Sequence, residues 1–254
     1  MHVSGPEGAR PMVFAHGFGC DQTMWRHVAP AFESDHRVVT YDLMGLGGSD
    51  VTQYSAERYS SLEGHAADLV ALLEGLDLHD AVFVGHSVAS MIGALAVARG
   101  CERIGALVMV GPSPRYIDDP DAGYVGGFGE ADIAGLLESL ESNYLGWSAA
   151  MAPVIAGGGE AGEELTAAFC RADPAIAADF ARATFLSDNR DDLAAVGVPT
   201  LVLQCSDDVI APDAVGEYVA ASIPGSTFRK MNATGHCPNL SAPVETIAMI
   251  REFV

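Results

Sequence analysis

Residues 82–91 read VFVGHSVASM: an apolar β-type run, a glycine, a histidine, Ser87, and then small residues of helical character. A serine in a Gly-rich turn before a helix is often only an N-cap. It is also how a nucleophile is raised to the carboxyl end of a parallel strand, the edge at which open sheets bind ligands. In the second reading Gly85 lets the backbone turn sharply and keeps space beside the serine. The helix from Val88 then directs its amides and positive dipole end at the reacting centre. The pattern for such an elbow is Gly-X-Ser-X-Gly, and its last position here is Ala89. A methyl group crowds the turn less than any other side chain, so the elbow accommodates it.

A serine hydroxyl needs a base, and the base needs an orienting acid. Both follow in the order Ser, Asp, His. Asp207 and Asp208 come after the run TLVLQC, and His236 lies in GHCPN just after TFRKM. Both positions fall at the sheet edge expected for Ser87. Asp208 is favoured because Asp-Val-Ile-Ala-Pro sets a loop acid just before a helix; a one-residue shift of the strand end would exchange it for Asp207. An oxyanion hole needs two backbone N–H groups, one from the residue after the nucleophile and one from the loop after an early strand. Those are Val88 and Phe18, the latter in His16-Gly17-Phe18-Gly19 directly after PMVFA. His16 reads as a loop-packing residue rather than a base. So do the other scattered histidines, His2, His27, His36, His65 and His79, read as solvated or packed.

Outward from this centre, β-type runs alternate with helical segments. PMVFAHG, an amphipathic segment at residues 22–32, HRVVTYD, a helix over 59–76, AVFVG, a helix over 88–99 and IGALVMVG follow in turn. Val- and Leu-rich strands separated by helices predict an α/β fold with a mostly parallel central sheet covered on both faces. The alternation stops at Gly111 and resumes at Pro199. The intervening stretch of about 85 residues is too long for a simple connection and predicts an inserted helical cap. The expected division is a core of residues 1–114 and 197–254 and a cap of residues 115–196. The loop from Asp42 to Ser49, DLMGLGGS, lacks the Gly-Lys-Ser/Thr ending of a phosphate cradle and reads as a tight structural loop.

Composition narrows the function classes. The chain has 254 residues, 49% of them hydrophobic, enough for one large domain with a real core. Thirty-four acidic against 13 basic residues give a formal charge of −21, with Lys230 the only lysine. Nucleic acid and anionic membranes are therefore poor partners. No apolar run approaches the ~20 residues of a membrane helix and no secretory signal is evident, so the expected location is cytoplasmic. Five cysteines in no Cys-X-X-Cys pair indicate neither a disulfide framework nor a zinc site. Most read as core or pocket-wall thiols.

Together HGFGCDQTMW, YDLMGLGGSD, VFVGHSV, LVMVGPSPRYIDD, NYLGW, LQCSDDVIAP and GHCPNLSAP resemble the α/β-hydrolases of the RsbQ type. That group includes a bacterial stress-response regulator and the plant karrikin and strigolactone receptor hydrolases. The resemblance spans nearly the whole chain. It implies Ser87 as nucleophile, His236 as general base and acid, Asp208 as the orienting carboxylate, and the amides of Phe18 and Val88 as the oxyanion hole. It also implies a four-helix cap in a V over an apolar pocket lined by Phe18, Phe128, Trp147, Met151 and Phe185. Two departures stand out: little chain precedes PMVFAHG, so a sheet shortened at that edge is expected, and Ala89 stands where relatives carry Gly or Ser. The function expected is a cofactor-free, metal-free serine hydrolase acting on a small apolar ester or lactone. The alternative is a sensor that binds a small hydrophobic ligand and presents a surface to a signalling protein.

Overall fold

A computed structural model describes residues 1–254 of the chain. Seven strands form one sheet: β1 (His2–Ser4), β2 (Arg10–Ala15), β3 (His36–Tyr41), β4 (Ala81–His86), β5 (Ile104–Val110), β6 (Thr200–Asp207) and β7 (Thr227–Thr234). Their spatial order is β1-β3-β2-β4-β5-β6-β7. Only β1 runs antiparallel, against β3; every other pairing is parallel. The β1 edge is short, three residues long. β4 lies between β2 and β5 and is buried along its whole length. That is why AVFVGH is a continuous run of small and apolar residues rather than an alternating one.

The helices are α1 (Leu62–Gly75), α2 (Val88–Ala98), α3 (Glu130–Ser142), α4 (Tyr144–Ala156), α5 (Gly159–Phe169), α6 (Pro174–Phe185), α7 (Asp213–Ser222), α8 (Pro238–Ser241) and α9 (Pro243–Phe253). α1 packs on α2, and the 3-10 segment Arg190–Ala195 joins α2 to α7. On the other side two 3-10 turns, Gln22–Trp25 and Ala29–Phe32, lie against β2 and β3 with α8 and α9 beside them. The amphipathic segment at 22–32 is thus broken into two turns rather than one helix. Pro30 has no N–H to donate and sits inside the second turn. No helix is long and apolar enough to cross a membrane.

All four helices α3 to α6 fall between β5 and β6. α4 packs along α5 and α3 along α6. Where this insertion leaves and rejoins the sheet its two ends are tied together. Asn189 N–H donates to the Pro114 carbonyl at 2.9 Å, Arg115 pairs with Asp188 at 2.6 Å, and Arg190 pairs with Asp119 at 2.9 Å. The Arg190 guanidinium also stacks 4.9 Å above the Tyr124 ring.

Candidate active site

Strand order reverses between β2 and β4, and a crevice at the carboxyl ends of the strands opens at such a point. HGFG leaves β2 there and Ser87 leaves β4. Ser87 has φ 55° and ψ −124°, a conformation that disfavours a side chain and costs on the order of 1–3 kcal/mol. Its neighbours hold it in place. The Ser87 N–H donates to the Val110 carbonyl at 2.7 Å and its own carbonyl accepts from Ser90 N–H at 2.9 Å. Ser90 Oγ reaches back to the Gly85 carbonyl at 2.7 Å. Gly85 must lack a side chain, because a Cβ would lie 2.6 Å from the Ala89 carbonyl and the Ser90 nitrogen.

Two further loops bring partners to this hydroxyl. His236 Nε2 lies 2.8 Å from Ser87 Oγ, and its Nδ1 lies 2.8 Å from Asp208 Oδ2. The other Asp208 oxygen accepts from the Ile210 and Ala211 amides at 2.9 and 3.0 Å. Burial by itself raises the Asp208 pKa, but the facing His236 and these amides outweigh it and hold the carboxyl below its ordinary value. Asp207 takes no part: it is exposed and pairs with Thr234 in the sheet. Such an arrangement lets His236 take the Ser87 proton while Asp208 fixes the tautomer and balances the imidazolium.

The amides of Phe18 and Val88 donate to no acceptor within the chain; Phe18 lies in the loop after β2 and Val88 opens α2 directly after Ser87. The Phe18 turn closes through Cys20 N–H to the Gly17 carbonyl at 3.3 Å. His16 stands behind it, with Nδ1 2.9 Å from the Gly17 carbonyl and Nε2 accepting from the Leu43 amide at 3.0 Å. Burial lowers its pKa. Its contacts are those of a loop-packing residue. Asp42 likewise braces its loop, binding both the Gln22 amide and side chain at 2.7 and 2.8 Å.

Above Ser87 is a small cavity of about 30 Å³. Phe18, Trp147 and Phe185 line it, as do Tyr116, Phe169 and Ile210, with Cys20 and Cys237 in its wall. The Phe18 ring is the hub, 5.7 Å from Phe169, 5.8 Å from Phe180, 5.7 Å from Phe185 and 6.2 Å from Trp147. Phe128 and Met151 are not part of the lining. Phe128 bridges to Ile117 at the base of the insertion, and Met151 is half-buried against the core from α4. A larger open cleft, about 540 Å³, lies beside β1 and the first 3-10 turn, but it shares no lining residue with the cavity at Ser87 and no serine–histidine hydrogen bond lies in it. No three His, Cys, Asp or Glu side chains are grouped to hold a metal ion.

Sequence reasoning missed Tyr116, Phe169 and His86. Tyr116 is buried with its ring 5.0 Å from Phe185, and burial pushes its pKa up to about 12. Phe169 stacks on Trp147 at 5.7 Å. Both sit in the insertion or its approach, where spacing along the chain says nothing of which side chains meet. His86 was in plain view beside Ser87 and carries a bond to the His236 loop.

Comparison with known proteins gives a consistent result. A family described as "Alpha/beta hydrolase family" matches residues 12–249. The chain is 38% identical to a karrikin insensitive 2 receptor of Petunia hybrida, over 97% of this chain and 91% of that protein. It is 36% identical to a strigolactone esterase of Arabidopsis thaliana, over 96% and 92%. Among solved structures, a hydrolase from Oleispira antarctica superimposes with a TM-score of 0.95 at 38% identity, covering 99% of this chain and 93% of that one.

Proposed function

Since the chain belongs to the alpha/beta hydrolase family, we propose that it is a serine hydrolase of small, uncharged, apolar esters or lactones. The observation that carries this is the unbroken hydrogen-bond series from Ser87 through His236 to Asp208 beneath a cavity lined largely by apolar residues. Residues 115–196 serve as the cap and residues 1–114 with 197–254 as the core. Related proteins named as esterases, together with an enol-lactonase from Acinetobacter baylyi that is 25% identical over the whole chain, support the substrate class.

His236 Nε2 removes the proton from Ser87 Oγ as the oxygen attacks the substrate carbonyl. The developing oxyanion accepts from the Phe18 and Val88 amides, each contributing roughly 3–4 kcal/mol in comparable sites. His236 then gives its proton to the leaving alkoxide, and the acyl group stays on Ser87. Water repeats the sequence: His236 takes its proton as its oxygen adds to the acyl carbonyl, then returns that proton to Ser87 Oγ as the acyl–serine bond breaks, and the acid leaves. Asp208 keeps the imidazole oriented throughout. The test is turnover of p-nitrophenyl acetate by Ser87→Ala, expected to fall by roughly 10⁴- to 10⁶-fold; unchanged turnover would defeat the assignment.

A second reading, a ligand sensor with weak hydrolase activity, is favoured by the similarity to a karrikin insensitive 2 receptor and by the small volume of the cavity at Ser87. It predicts turnover below about one per minute, against ~10 per second for a median enzyme. It also predicts a stoichiometric protein partner whose binding requires Ser87.

A further inference from the structure

His86 ends β4 and is 2% exposed. One of its nitrogens, Nε2, lies 2.7 Å from the main-chain carbonyl of His236. A carbonyl only accepts, so Nε2 carries the proton and Nδ1 is left bare. Nδ1 has no partner and abuts Gly17, where a Cβ would come within 2.6 Å of it. The ring centroids of His86 and His236 are 5.0 Å apart. Burial, with His236 beside it, pushes the His86 pKa down to about 3, so the ring is neutral near pH 7.

The His236 peptide is therefore held on both sides. Its N–H donates to the Ile155 carbonyl at the end of α4, at 2.7 Å, and its carbonyl accepts from His86. Without the second bond the His236 carbonyl loses its partner and that side of the peptide its anchor, although Gly235 N–H still donates to the Asp207 carbonyl at 2.7 Å. We propose that His86 is a positioning residue for the reaction: its Nε2–H fixes the main chain of His236 so that the base stays within reach of Ser87, and its bare edge seats Gly17 beside the Phe18 amide. This rests on the reading of Ser87 and His236 as the reacting pair. A buried histidine that merely fills space would need only a ring; a positioning one needs a donor at the Nε2 reach.

Two amides separate these roles. The glutamine side chain carries its N–H₂ at about the reach of Nε2, and asparagine at about that of Nδ1. His86→Gln should keep kcat within about fivefold of wild type. His86→Asn and His86→Leu should lower it about 30- to 100-fold with KM within about twofold, the size expected when a reacting group is displaced by about 1 Å. Labelling of Ser87 by a fluorophosphonate probe, which needs no ester substrate, should slow in the same order, with thermal melts confirming that each variant folds. Turnover by His86→Asn at the wild-type rate, or a fall in His86→Gln as deep as in His86→Asn, would overturn the proposal. Should His86→Leu fail to fold, the two amides decide. Wild-type protein that takes no label would instead overturn the Ser87 reading itself, whereas a labelled wild type with indifferent His86 variants would sink this inference alone.

Discussion

Two adjacent carboxylates, Asp207 and Asp208, differ by one peptide and by everything that matters for the imidazole. Asp208 has one oxygen on His236 Nδ1 and the other on two amides, so its orientation is fixed before any substrate binds. Asp207 is exposed. Asp208→Asn should lower kcat by about 10⁴ through the wrong imidazole tautomer, while Asp207→Asn stays within about twofold; ester kinetics on the two variants check this. The carboxylate also bears on stability. Its native pKa is depressed, so its contribution is complete above the ordinary carboxylate value of about 3.9 and is lost as pH falls through the lowered native value. The choice between the two acids was legible because a strand must end before a loop acid can turn back toward the sheet edge. The role of His86 was not, because the partner of its Nε2 lies 150 residues away.

At the scale of elements, the junction of β4 and α2 explains why Ala89 is compatible with the elbow. The close approach is made by Gly85, whose Cα faces the Ala89 carbonyl and the Ser90 nitrogen; the Ala89 methyl is buried elsewhere in the core. Ala89→Gly should therefore leave kcat within about twofold and lower stability by about 1 kcal/mol, the helix-propensity difference. Gly85→Ala forces backbone against backbone and should cost about 1–3 kcal/mol of stability and at least about 100-fold in kcat. Denaturant melts paired with ester kinetics separate the two. Strands and their ends were readable here because β4 and its neighbours are buried on both faces and carry unbroken apolar runs. The side chains that meet above Ser87 were less so. α4 is apolar on nearly every side, YLGWSAAMAPVIA, yet exposes Leu145 and Val154, so its pattern does not say which face turns inward. Trp147 faces the cavity while Met151, one turn on, does not.

For the whole molecule, acid stability is governed first by histidines held neutral in the interior. Burial drives His65 down to about 4 and His86 to about 3, and lowers His16 as well. His65 is packed between the rings of Tyr59 and Phe180, 4.7 and 4.9 Å away. In the unfolded chain all three regain the ordinary value near 6.5. Below that pH the unfolded state binds more protons than the native state, so stability falls as pH falls, and each histidine contributes about 1.4 kcal/mol per pH unit until its native pKa is reached. The stabilisation is complete above about 6.5 and is withdrawn through the window from 6.5 toward 4 and 3. The melting temperature should therefore drop on the order of 10 °C from pH 7 to pH 5. His65→Phe, which keeps the aromatic packing and removes one of the three titrating groups, should make that slope about a third less steep. Calorimetric melts at half-unit intervals test both statements, and a wild-type melting temperature that is flat or rises over this interval would refute them.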